Sequence, residues 1–144
     1  MKIVLAEKPS VARDIATYLK ATQRRNGYLE GNDWAVTGAF GHLVELQEPE
    51  EYKPEWKSWR IDSLPMIPSP FELRPRAEKS VQEQLETIVK LFQDSDEIIC
   101  ATDAGREGEL IFRYILSWAK CENKPFKRLW ISSLTKQAIA KGFE

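Results

Sequence analysis

Two short runs made only of apolar residues, Ile3-Val4-Leu5-Ala6 and Ile98-Ile99-Cys100-Ala101, constrain this chain more than any other feature. Uninterrupted apolar runs of that length read as strands buried in a sheet. Each is followed by acids, Glu7 in the first case and Asp103, Glu107 and Glu109 in the second, and then by a helical pattern. Pro9 and Ser10 open a helix with Val11, Ile15, Tyr18 and Leu19 on one face, and a helix from Glu107 to Lys120 gathers Ile111, Tyr114, Ile115 and Trp118. A further helix from Glu78 to Phe92 carries Val81, Leu85, Ile88 and Phe92 at helical spacing. Arg128 to Ile131 reads as another strand and Thr135 to Phe143 as a last helix, while Gly27 to Thr37 reads as a hairpin turning at Gly31-Asn32. This alternation predicts an α/β fold, a mainly parallel sheet with helices on both faces. In such sheets ligands collect at the carboxyl ends of the strands, so the two acidic ends converge although distant in sequence.

The stretch from Pro49 to Pro75 breaks the pattern. It holds six of the eight prolines together with Tyr52, Trp56, Trp59, Ile61, Leu64, Ile67 and Phe71, and shows no helical or alternating period. A disordered linker is poor in aromatics, so residues 49–75 are expected to be an extended Trp/Pro-rich insertion that packs on this domain or on a neighbour. With 144 residues and 42% hydrophobic content, residues 1–144 are expected to form one domain around a genuine core. No apolar run approaches the roughly 18 residues of a membrane span and no signal-peptide pattern opens the chain, which points to a cytoplasmic location without membrane contact. Cys100 and Cys121 form no CxxC pair, so neither a zinc site nor a disulfide framework is suggested. The formal net charge of −1 makes no general electrostatic case for nucleic acid; any such case rests on the local clusters Lys20/Arg24/Arg25, Arg74/Arg76 and Lys124/Lys127/Arg128, each of which reads more readily as solvated surface.

Several common sites are refused by the segment Asp103-Ala-Gly-Arg-Glu107-Gly-Glu109. A calcium loop beginning at Asp103 would need an acid at its twelfth position, where Tyr114 stands. A phosphate-binding P-loop needs Lys and then Ser or Thr after the last glycine, but Glu109 and Leu110 follow Gly108. The remaining pattern, alternate acids between a strand and a helix start, suits a hard cation such as magnesium, which takes one or two carboxylates with water and a phosphate. The same acids suit a helix's first turn for dipole reasons alone. Gly105 and Gly108 fit both readings, by close approach or positive φ. Lys8 is either a surface partner of Glu7 or a cation facing charge that develops on a phosphate oxygen. His42, the only histidine, follows Gly41 in a turn, and a lone histidine there is more often structural than catalytic.

Taken together, Leu5-Ala-Glu-Lys-Pro-Ser10, Gly41-His-Leu43, Trp59-Arg60 with Leu64-Pro65 and Pro68, Ala101-Thr-Asp-Ala-Gly-Arg-Glu-Gly-Glu109 and Ile131-Ser-Ser-Leu-Thr135 resemble, in order and spacing, the N-terminal part of the bacterial topoisomerases III. These are type IA DNA topoisomerases, and the matching portion is their Toprim domain, a magnesium-binding α/β module. The resemblance spans essentially the whole chain, and the Trp/Pro insertion is what resembles topoisomerase III in particular. It implies an isomerase that cuts and reseals one DNA strand through a 5′-phosphotyrosine link, with Mg2+ as cofactor and single-stranded or underwound DNA as partner, in the bacterial cytoplasm and nucleoid. Glu7 matches the family's N-terminal catalytic glutamate and Lys8 the lysine at the scissile phosphate. Glu7, Asp103 and Glu107 match metal-binding acids, while Arg106, Ser10 and His42 stand where phosphate or DNA contacts are expected. The middle acid of the family's Asp-x-Asp-x-Glu motif is Gly105 here, which favours one magnesium over two.

Tyr18, Tyr28, Tyr52 and Tyr114 match no nucleophilic position, so the resemblance implies that the nucleophile lies in C-terminal topoisomerase domains and that this chain, alone, is inactive. The alternatives are a stand-alone Toprim metal-dependent nuclease and a non-catalytic nucleic-acid or protein docking module using Trp56, Trp59 and the basic clusters. The metal reading carries two expectations. The carboxylates of Glu7, Asp103 and Glu107 should lie close enough to share an ion or its waters, and at least one should have a raised pKa.

Overall fold

In the computed structural model, which describes residues 1–144, the first apolar run is strand β1 (Lys2–Ala6). Proline at the first helical position starts α1 (Pro9–Leu19), which buries Val11, Ala12, Ile15, Ala16 and Leu19; Tyr18, expected on that face, instead stacks on Phe143 near the surface. A short strand that the sequence pattern had not suggested, β2 (Gln23–Arg25), precedes the hairpin of β3 (Tyr28–Gly31) and β4 (Trp34–Gly38). The hairpin turns at Asn32-Asp33, one residue beyond the expected Gly31-Asn32. Gly31 pairs with Trp34, and the two turn residues take φ of 54° and 64°, the left-handed values that a tight two-residue hairpin demands.

The insertion is less extended than expected. β5 (Val44–Leu46) pairs antiparallel with β6 (Leu73–Pro75), and between them lie α2 (Pro49–Tyr52) and two 3₁₀ turns, Pro54–Lys57 and Ile61–Ser63. Single turns of helix have no room for a periodic pattern, which is why none was legible. Trp56 is buried against Tyr52 and Leu73 packs on the core, but Trp59, Ile61, Ile67 and Phe71 are exposed, so the middle of the insertion packs least on this domain.

The second half of the chain returns to regular structure with α3 (Lys79–Asp94), β7 (Glu97–Ala101), α4 (Arg106–Trp118), β8 (Phe126–Arg128) and α5 (Lys136–Phe143). α4 buries Ile111, Phe112, Ile115 and Leu116, so its inner stripe is rotated from the expected one, leaving Tyr114 at the margin and Trp118 outside. β8 ends where the expected strand began. Parallel pairing sets Phe126 opposite Ile98 and Arg128 opposite Cys100, while the apolar Leu129 that suggested a later strand is buried among the side chains below the sheet.

The six strands run in the order β2-β3-β4-β1-β7-β8, parallel from β4 to β8 and antiparallel at β2-β3-β4. Alternate residues of the central strands feed two cores. Ile3, Leu5, Ile98 and Cys100 meet Leu85, Ile88, Phe92, Phe112 and Ile115 of α3 and α4. Val4, Ala6 and Ile99 meet Val11, Ile15 and Leu19 of α1 and Ile139 of α5. Helices on both faces make β1 and β7 apolar beyond their first residues, Lys2 and Glu97, as the opening runs required. No helix is long and apolar enough to cross a membrane.

Candidate active site

β1 and β7 are adjacent and in register, with Ala6 level with Ala101. Their carboxyl ends therefore deliver Glu7 and the Thr102-Asp103 turn to the same edge of the sheet. β4 flanks β1 on the other side, with Gly38 level with Ala6. A Cβ on Gly38 would stand 3.2 Å from the Lys8 carbonyl carbon, so the strand end packs closely against the turn into α1.

The turn after β7 is tightly built. The Gly105 N–H donates to the Asp103 carbonyl at 2.8 Å, and the buried Thr102 hydroxyl donates to the Gly108 carbonyl at 2.8 Å. A Cβ on Gly108 would lie 2.1 Å from the Asp103 carbonyl oxygen, so this helical position admits no side chain. Gly105 differs. It caps α4 with φ −137° and ψ 177°, extended values open to any residue, and a Cβ there would meet nothing within 4 Å. Of the two glycines, only Gly108 is required by close approach.

Glu7 is half-buried, and both the carboxylate and the backbone N–H of Asp103 lie at its carboxyl group. Burial first, and then the hydrogen bond and charge of Asp103, push the Glu7 carboxyl above the ordinary glutamate range; the Asp103 N–H and Lys8 pull the other way. Glu7 Oε1 is fully buried and has no hydrogen-bond partner. A buried carboxylate oxygen without a donor is costly unless a proton or a cation meets it. The acid pair thus fits magnesium, which needs only one or two carboxylates and completes its shell with water and phosphate oxygens.

Glu107 does not join this pair. Its exposed carboxylate faces His42, with Oε1 3.4 Å from Nε2, and no three carboxylate, imidazole or thiol groups gather around one point. The physical reason is the helix start: α4 begins at Arg106, and Glu107, at its second position, projects across the loop towards His42. The expected acid triad is therefore a pair, Glu7 with Asp103, flanked by a second pair, Glu107 with His42. Lys8, Ser10 and Arg106 are exposed around the same strand ends, at or next to the first turns of α1 and α4.

The basic clusters mostly resolve into structural contacts. Lys124 donates to the carbonyls of Phe92, Gln93 and Ser95 at the end of α3, Lys127 pairs with Glu97 at 2.9 Å, and Arg74 pairs with Glu45 and Glu51. Glu109 is likewise structural, held by Arg113 at 2.7 Å and by Arg128, which together keep its carboxyl below the ordinary range. Arg128 was legible only as one member of a charge cluster. No local signal showed that it reaches the acidic turn.

The chain matches the Toprim domain family over residues 2–134. It is 51% identical over 142 residues to a DNA topoisomerase 3 of Bacillus licheniformis, a match that spans 99% of this chain and 19% of that protein. It is 51% identical over 143 residues to a DNA topoisomerase 3 of Shouchella clausii, across 99% of this chain and 20% of the other. The chain thus spans about one fifth of the length of these relatives. A solved structure of full-length topoisomerase I from Thermotoga maritima shares the fold with a TM-score of 0.62 at 20% identity, covering 98% of this chain and 20% of that one.

Proposed function

This chain belongs to the Toprim domain family, and from that premise we propose that it forms the cation-binding part of the active site of a type IA, topoisomerase III-like DNA topoisomerase. The observation that carries the proposal is the buried, partnerless Glu7 Oε1 beside the Asp103 carboxylate, on two adjacent parallel strands. Glu7 and Asp103 would hold Mg2+ through their carboxylate oxygens, with Glu107 at the entrance as the third acid. When bound, the cation would supply charge neutralisation at the phosphate that is cut and resealed. Lys8 places an ammonium at that phosphate, where it stabilises developing charge or protonates the leaving oxygen, and Glu7 assists that proton transfer. Arg106, Ser10 and the His42–Glu107 pair line the approach for the flanking phosphates of a single-stranded or underwound DNA.

The tyrosine that forms the 5′-phosphotyrosine link belongs to the remaining length that the relatives possess, as does the grip on the DNA. Residues 1–144 act as one unit with residues 49–75 as its insertion, working in the bacterial cytoplasm at the nucleoid. Mn2+ titration of the metal-free chain, followed by electron paramagnetic resonance, tests the proposal. One ion should bind, and Asp103→Asn should weaken it at least tenfold; binding indifferent to that substitution refutes the metal reading. Incubation with Mg2+ and labelled single-stranded DNA or RNA tests the topoisomerase reading, because robust cutting by this chain alone identifies a nuclease.

A further inference from the structure

Arg128 sits at the end of the edge strand β8, opposite Cys100, and only 12% of its side chain is exposed. Instead of turning to solvent it reaches across the end of β7. Its Nη1 donates to the Thr102 carbonyl at 2.8 Å, its Nη2 to the Thr102 hydroxyl at 3.3 Å, and its Nε to Glu109 Oε2 at 3.0 Å. The Trp130 ring covers the guanidinium, 5.7 Å from its centroid. The Thr102 hydroxyl passes the contact on, donating to the carbonyl of Gly108, whose missing Cβ lets α4 lie against the Asp103 carbonyl. One planar cation thus ties Thr102, the residue between β7 and Asp103, to the first turn of the helix that follows. A lysine has no such fork and cannot span these acceptors together.

We propose that Arg128 is a positioning residue: by fastening Thr102 to the first turn of α4, it locks the turn that holds the Asp103 carboxylate against Glu7. The metal consequence rests on the function proposed above; the locking itself does not. A hard cation needs its ligands held within a few tenths of an ångström, and Asp103, exposed and on a loop, has no side-chain hydrogen bond of its own outside the acid pair. Arg113 supplies the comparison, since it also pairs with Glu109 but touches neither Thr102 nor Gly108.

The test uses Arg128→Lys, Arg128→Gln, Thr102→Val and Arg113→Gln, with amide hydrogen exchange and Mn2+ affinity read well below each melting temperature. The Gly105 amide, which donates to the Asp103 carbonyl, should exchange about tenfold faster in both Arg128 variants and in Thr102→Val, and Mn2+ should bind about tenfold more weakly. Arg113→Gln should leave both within twofold. Exchange and affinity in the Arg128 variants that match Arg113→Gln would overturn the proposal, whatever happens to the melting temperature. Should wild-type protein bind no Mn2+ while Gly105 exchange still responds to Arg128, the locking role stands and the metal reading falls.

Discussion

Replacing Gly108 with alanine tests the construction of the acidic turn most directly. The added Cβ would lie 2.1 Å from the Asp103 carbonyl oxygen and 2.9 Å from its carbonyl carbon and amide nitrogen. Restoring an ordinary contact of 3.4 Å requires roughly 1.3 Å of movement, and the obstructing atoms are backbone, which cannot swing away as a side chain can. Helix propensity favours alanine over glycine by about 1 kcal/mol, whereas overpacking costs about 1–3 kcal/mol and backbone obstruction belongs at the upper end. The net loss is about 1–2 kcal/mol. For a domain of this size that lowers the melting temperature by roughly 2–8 °C. Because the displaced residue is Asp103 itself, Mn2+ affinity should fall about tenfold as well. Calorimetric melting and Mn2+ titration measure the two effects, with Gly105→Ala as the control, since its Cβ would meet nothing within 4 Å. Equal melting temperatures for Gly108→Ala and wild type, or an equal loss in Gly105→Ala, would refute this account of why glycine stands at 108.

Other expectations concern the same scaffold. Gly105→Asp places a third carboxylate at an open helix N-cap, so the fold should melt within a degree or two of wild type while Mn2+ binds several-fold more tightly, as titration would show. Lys127, and then burial and Lys2, set the position of the Glu97 carboxyl, with the two cations holding it below the ordinary range. An acid with a lowered folded-state pKa contributes stability that is present above its unfolded value, about 4.3, and is lost as pH falls through the folded value. Glu97→Gln should therefore cost roughly 0.2–1 kcal/mol at pH 7, limited by the exposure of Lys127, and the difference should vanish near pH 2 in urea unfolding. Thr135→Ala removes the hydroxyl that accepts the Ala138 N–H at 3.1 Å at the start of α5, and should cost about 1 kcal/mol in the same assay.

Much of the scaffold was readable residue by residue. β1 and β7 fall where the two apolar runs stand, and α3 buries Val81, Leu85, Ile88 and Phe92 as its spacing required. Strand ends carrying Glu7 and Asp103 do meet, because a parallel sheet aligns carboxyl ends irrespective of their separation in sequence. Elsewhere local pattern misled. The apolar Leu129-Trp130-Ile131 looked like strand, but β8 is chosen by hydrogen bonding to β7, and Trp130 is exposed. Phe112 displaced Tyr114 from the α4 core because helix rotation follows the shape of the neighbouring sheet and α3, which a periodicity cannot supply.

For the site, the amino-acid sequence alone determined which chemistry is on offer: hard oxygen donors at two strand ends, a lysine beside one, and no thiol pair or P-loop. Residue types and their order decide that, since they carry the functional groups and the family resemblance. Only tertiary structure decided which groups meet. It joined Glu7 to Asp103, turned Glu107 to His42, and brought Arg128 under Trp130 to fasten the turn. Those choices depend on side-chain direction, sheet register and the clearance around Gly108, all of which arise when distant segments pack against one another.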